Sequence, residues 1–147
     1  MSEVQLSLVP REYVLSAWDR VKDYVSAATG YTRGRYVPGD ILTMVLEQGY
    51  LLWVLIDEEG EIKGAVVTCF IEYPNKKALH IMLLGGSEGR SWKNELIDTL
   101  RAFAVDQGCD CIEASGRKGW ERELKLEGAV PLWHTIEMPV KPVYVGG

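Results

Sequence analysis

His80 and Glu113 are the residues best suited to moving a proton, and they flank a glycine-rich loop, Gly85-Gly86-Ser87-Glu88-Gly89-Arg90. A histidine side chain has an intrinsic pKa near neutrality, and either an imidazole or a carboxylate can serve as a general base. The loop follows directly on the apolar run 78–84 (ALHIMLL) and precedes a helical pattern that Ser91 can cap. Free backbone N–H groups at a helix N-terminus suit an anion, so a phosphate-bearing cofactor is expected there if the chain binds one. A plainer reading stands beside this one: His80 as a satisfied core histidine, and Glu113 as the surface partner of a lysine or arginine.

The elements that must position these residues follow from hydrophobic periodicity. Residues 78–84 are apolar on both alternating faces, as in a strand covered on both sides. After the loop, Trp92, Leu96, Ile97, Leu100, Phe103 and Ala104 form one face of a helix that Gly108 stops. Cys111-Ile112-Glu113-Ala114 reads as the next strand. Two strands joined through a helix are expected to be parallel, with a right-handed crossover.

Upstream, residues 4–9 (VQLSLV) suggest an edge strand ended by Pro10. Val14, Leu15, Trp18, Val21 and Val25 make an amphipathic stripe over 11–29, and residues 31–37 read as a loop. A second helix is expected from Pro38-Gly39-Asp40, with Asp40 as its cap and Ile41, Leu42, Val45 and Leu46 buried. Residues 50–57 and 62–73 form a hairpin around Glu58-Glu59-Gly60-Glu61, and Pro74-Asn75-Lys76 turns the chain into the strand at 78–84. Downstream come a short helix at about 118–127, a stop at Gly128 and a last strand over 132–138 (LWHTIEM). The fold class is therefore α/β (α+β), in one domain spanning 1–147. Its order is β-α-α-β-β-β-α-β-α-β, with a mixed sheet of about six strands.

Composition narrows the function. The chain has 147 residues and a formal net charge of -5, which argues against a general nucleic-acid binder. No apolar run approaches the ~20 residues of a membrane span. The N-terminal MSEVQLSLVPRE lacks the basic and apolar regions of a secretory signal, so a cytoplasmic protein is expected. Cys69, Cys109 and Cys111 are an odd number of cysteines and are expected to be reduced. Cys109-Asp110-Cys111 with His80 or His134 invites a metal reading. The C-x-C spacing departs from the usual C-x-x-C, and no metal is expected. The glycine loop lacks both the G-x-G-x-x-G spacing of a dinucleotide fold and the Gly-Lys-Ser/Thr ending of a nucleoside-triphosphate loop.

The element order resembles the GNAT acyltransferase superfamily over essentially the whole chain. The family's pyrophosphate loop reads Gln/Arg-x-x-Gly-x-Gly/Ala, and here the same place reads Gly86-Ser87-Glu88-Gly89-Arg90-Ser91. Gly89 matches the central glycine, Gly86 replaces the Gln or Arg, and Glu88 adds a carboxylate beside the expected phosphates. The family's later Asn…Tyr…Gly-Phe pattern corresponds to Arg117…Leu124…Gly128-Ala129, so only the glycine is kept. The run LLGG…SW…L…FA…GC…I…GR.GWER.L…GA is similar to phage-encoded GNAT-like proteins, which include acetyltransferases and internal virion proteins.

This resemblance implies an acetyl-CoA-dependent N-acyltransferase that transfers an acetyl group directly to an amine on a small molecule or a protein. It implies cofactor contacts from Leu83, Leu84, Gly85, Gly86, Ser87, Gly89, Arg90, Ser91 and Arg117, with His80 and Glu113 as candidate bases. Leu124 stands where the family places its tyrosine acid and cannot donate a proton. Tyr73 and Tyr36 are alternative hydroxyls that the sequence does not place. The alternative function is a catalytically degenerate GNAT-fold phage protein acting as a binding or virion structural module. It would then partner other copies of itself or phage structural proteins, in the host cytoplasm or the virion.

Overall fold

The computed structural model describes residues 4–86, 92–116 and 119–141. Ser87, Glu88, Gly89, Arg90, Ser91 and Arg117, all named in the sequence reading, lie outside the described residues. The chain divides into two compact units, Met1–Gly116 and Arg117–Gly147.

The first unit is a mixed five-stranded sheet in the order β1-β2-β3-β4-β5. Its strands are β1 (Val4–Leu8), β2 (Leu51–Asp57), β3 (Ile62–Tyr73), β4 (Lys76–Gly86) and β5 (Cys111–Ala114). The first four pair antiparallel, as short turns between sequential strands dictate. Strand β5 arrives through helix α3 (Lys93–Asp106) and pairs parallel with β4. Helices α1 (Val14–Thr29) and α2 (Pro38–Glu47) link β1 to β2.

Two helical layers bury opposite faces of the sheet. Val14, Val21 and Val25 of α1 and Ile41, Met44 and Val45 of α2 pack with Leu52, Val54, Ala65, Val67 and Leu83. On the other face, Phe103 of α3 meets Trp53 edge-on, with centroids 4.9 Å apart, and stacks on Phe70. The Trp53 indole N–H donates to the buried Thr68 hydroxyl at 3.0 Å, so neither polar group is left unpaired. Each fully buried aliphatic side chain in these layers contributes about 1.5–3 kcal/mol.

Three expectations are corrected. Leu15 is exposed, because Ala17 and Ala28 complete the α1 stripe and small side chains bring the helix close to the sheet. Asp40 does not cap α2 from outside. The helix starts at Pro38, and the Asp40 carboxylate reaches back to accept the Val37 N–H at 2.9 Å. The strand expected over 132–138 does not form, and residues 129–139 carry no regular secondary structure. Alternation alone does not make a strand. Leu132, Trp133, Ile136 and Met138 are exposed, so no burial offsets the entropy of ordering them. The second unit holds α4 (Gly119–Leu124) and a short 3-10 turn (Lys125–Glu127). The turn ends at Gly128, whose φ of 85° is left-handed.

Strand β4 lies close against α1 at Gly85. A Cβ there would collide with the Tyr24 carbonyl oxygen, while the Tyr24 hydroxyl donates to the Ile62 carbonyl at 3.1 Å. Glycine at this position therefore has a packing reason. Gly85→Ala is expected to lower stability by about 1–3 kcal/mol, seen as a lower urea midpoint at unchanged slope. An unchanged midpoint would mean that the helix and strand are not in contact as described.

Candidate active site

The register of β5 against β4 is set before the site is reached. The Asp110 N–H donates to the Lys77 carbonyl at 2.8 Å, and the Lys77 N–H donates back to the Asp110 carboxylate at 2.9 Å. The Lys77 ammonium donates to the Gln107 carbonyl at 2.8 Å and lies 4.9 Å from the centroid of the Phe70 ring. This hook joins the end of α3 to the start of β4. It places Ala78 opposite Cys111 and therefore His80 opposite Glu113. Across β3, His80 also faces Cys69. Residues opposite one another share a face, so Cys69, His80 and Glu113 form a row across three strands.

The row is joined by short hydrogen bonds. His80 Nδ1 lies 2.8 Å from Glu113 Oε1, with only 16% and 11% of the two side chains exposed. The Tyr73 hydroxyl donates to the same carboxylate oxygen at 2.8 Å. Ser115 Oγ lies 3.1 Å from His80 Nε2. An ionised carboxylate only accepts, so in the neutral imidazole Nδ1 carries the proton and Nε2 is left as an acceptor for the Ser115 hydroxyl. The order is Tyr73–Glu113–His80–Ser115, with Glu113 and Ser115 on either side of the imidazole.

The neighbouring groups hold their protons. The hydrogen bond to Glu113 raises the Tyr73 pKa, and partial burial and the negative charge nearby act the same way. Burial raises the Cys69 thiol, the Glu113 charge adds to this, and a hydrogen bond from Tyr50 opposes it. Burial likewise raises Tyr50, followed by its interactions with Cys69 and Tyr36. Cys69 is thus a neutral thiol in the wall of the site and not a nucleophile. Among the described residues, no group of three or more His, Cys, Asp or Glu could hold a metal ion.

The candidate bases of the sequence reading, His80 and Glu113, come together in direct contact. Tyr73 joins them, whereas Tyr36 packs beside the α1–α2 core. Ser115 was missed. Its signal was period-two alternation, since a residue two beyond Glu113 returns to the same strand face. Of the expected cofactor contacts, Leu83 points into the α1–α2 core and can offer only backbone. Leu84 and Gly85 are partly buried and Gly86 is exposed.

Strand β4 has a bulge opposite Val67 and Thr68, where Leu83 and Ile81 are paired and Met82 is the extra residue. On the other side, pairing with β5 stops at Ile81–Ala114, followed by one bond from the Ser115 N–H to the Ile81 carbonyl at 3.3 Å. Strand β4 runs on to Gly86, and no described strand pairs with residues 82–86 on that side. The site therefore lies where two parallel strands part, next to a bulge. Such bulges re-aim backbone and side chains beside active sites.

The raised Tyr73 pKa gives a pH prediction with a definite sign. A group whose native pKa exceeds its unfolded value stabilises the fold below the unfolded value, about 10 for tyrosine, and loses that effect as pH rises through the native value. The Tyr73 ring carbon bearing the hydroxyl is expected to titrate in NMR at higher pH in the wild type than in Glu113→Gln. Equal midpoints would show that the carboxylate does not hold that proton.

No protein-family model matches the sequence, and no curated protein matches it. Solved structures do match the fold. HMB0005, an aminoglycoside acetyltransferase from an uncultured soil metagenomic sample, aligns with a TM-score of 0.68 at 13% identity, over 95% of this chain and 99% of its own. The ribosomal-protein-alanine N-acetyltransferase of Brucella melitensis biovar Abortus 2308 aligns with a TM-score of 0.66 at 15% identity, over 95% of this chain and 100% of its own. A mutant of the BH1408 protein of Bacillus halodurans gives 0.64 at 18% identity, over 92% and 99%. At these identities the likeness is one of fold, and the chain has the mixed-sheet, GNAT-like fold seen in solved acetyltransferases.

Proposed function

We propose that this chain is an acetyl-CoA-dependent N-acyltransferase acting on an amine. The observation that carries the reading is the His80–Glu113 pair at the point where β4 and β5 part. The backbone edge of β4 at residues 82–86 fits an extended, amide-bearing ligand, because such a ligand can continue the sheet by main-chain hydrogen bonds. The arm of CoA has that chemistry. Leu84, Gly85 and Gly86 would hold it along this edge. The loop Ser87, Gly89, Arg90 and Ser91, together with Arg117, is assigned to its phosphates on the sequence alone. Acetyl-CoA, when bound, supplies an acyl group activated as a thioester.

The chain's own residues handle the proton. A primary amine is protonated at neutral pH and must lose a proton before it attacks. His80 Nε2 is the acceptor, while Glu113 fixes the tautomer at Nδ1 and stabilises the imidazolium that forms. Tyr73 donates to the same carboxylate oxygen, which limits rotation of Glu113 away from the imidazole. Two donors converging on one oxygen fix the orientation of the carboxylate. An assembled pair of this kind supports the enzyme reading over a purely structural phage module. Leaving-thiolate protonation falls to water, since leucine occupies position 124 and Tyr73 is engaged with Glu113.

The test is release of CoA thiol from acetyl-CoA with a panel of small primary amines and lysine peptides. Wild type is expected to turn over at least one amine. His80→Gln is expected to lose ~10²–10⁴-fold in kcat/KM, with CoA affinity by calorimetry unchanged. Full activity in His80→Gln, or absence of CoA binding to the wild type, would contradict the proposal.

A further inference from the structure

The geometry points to a second activity: Ser115 is a nucleophile, and the chain hydrolyses small activated esters and thioesters through an O-acyl-serine. Direct transfer to an amine needs only a base. The structure holds more than that, since Ser115 Oγ lies 3.1 Å from His80 Nε2, and His80 Nδ1 lies 2.8 Å from Glu113 Oε1. Nucleophile, base and orienting carboxylate in hydrogen-bond sequence is the arrangement that activates a hydroxyl at neutral pH. Tyr73 extends it by donating to the same oxygen of the Glu113 carboxylate. All four residues belong to the Met1–Gly116 unit.

Position favours the serine over the thiols nearby. Ser115 is exposed just past the end of β5, where an acyl donor can reach it. Cys69 is buried and keeps its proton. Beyond Ile81, β4 runs on to Gly86 with no described strand paired to it on the side where Ser115 lies.

The step balances with water as the only co-reactant. Ser115 Oγ forms a bond to the acyl carbon as its proton passes to His80 Nε2. The bond from that carbon to the leaving sulfur or oxygen breaks, and the leaving group takes the proton from Nε2 as a thiol or alcohol. Water then adds to the acyl-serine, giving a proton to Nε2. The bond from carbon to Oγ breaks, Ser115 recovers its proton, and a carboxylic acid leaves.

The test uses the full chain with p-nitrophenyl acetate, followed by a fluorophosphonate probe and peptide mass spectrometry. The mixture holds no CoA, so its outcome is independent of whether the cleft binds that cofactor. Wild type is expected to release p-nitrophenolate and to carry one covalent probe adduct, on Ser115. Ser115→Ala and His80→Gln are expected to lower hydrolysis at least ~100-fold. The covalent adduct is read on wild-type protein, so it does not depend on either variant folding. Absence of an adduct on Ser115, or wild-type hydrolysis by Ser115→Ala, would overturn the inference.

Discussion

Everything at the candidate site depends on one parallel pairing that is held firmly at one end and ends early at the other. Lys77 and Asp110 exchange backbone and side-chain hydrogen bonds where β5 begins. That fixes the register, and a slip of one residue would turn Glu113 to the opposite face from His80. Four pairs later β5 ends, and β4 continues to Gly86 paired with β3 but with no described strand on its other side. The same strand is thus a structural element in its first half and a candidate binding edge in its second.

The rest of the first unit makes this arrangement rigid. Helix α1 lies against β4 so closely that Gly85 admits no side chain, and α3 grips the opposite face through Phe103, Trp53 and Phe70. A sheet covered on both faces holds its side chains in line, and a proton relay needs its donors and acceptors within hydrogen-bond reach. Glu95 of α3 also accepts the Leu6 N–H of the edge strand at 2.7 Å, tying the helix to the far side of the sheet. The chemistry uses four side chains, and their precision comes from about a hundred residues of packing around them.

Much of this was legible in the sequence because periodicity reports burial. The meander, the crossover helix and β5 over Cys111–Ala114 follow from apolar spacing and from glycine stops, and so does the placing of His80 and Glu113 on neighbouring strands. The registers were not legible. That Tyr73 reaches the site depends on the register of β3 and β4, and Tyr36 sits in the loop between α1 and α2. Ser115 looked like loop because it follows the last strand residue, although its hydroxyl completes the row. The alternating run at 132–138 misled in the opposite direction, since alternation of apolar residues does not by itself make a strand.

The central claim is that the parted edge of β4 beside His80 and Glu113 is where ligand binds. Amide chemical-shift mapping of the full chain, with CoA titrated in, tests it most directly. The account predicts progressive shifts at residues 82–86 and at Ser115, with the amides of β1 and β2 unmoved. Shifts absent from 82–86, or confined to the far edge of the sheet, would contradict it.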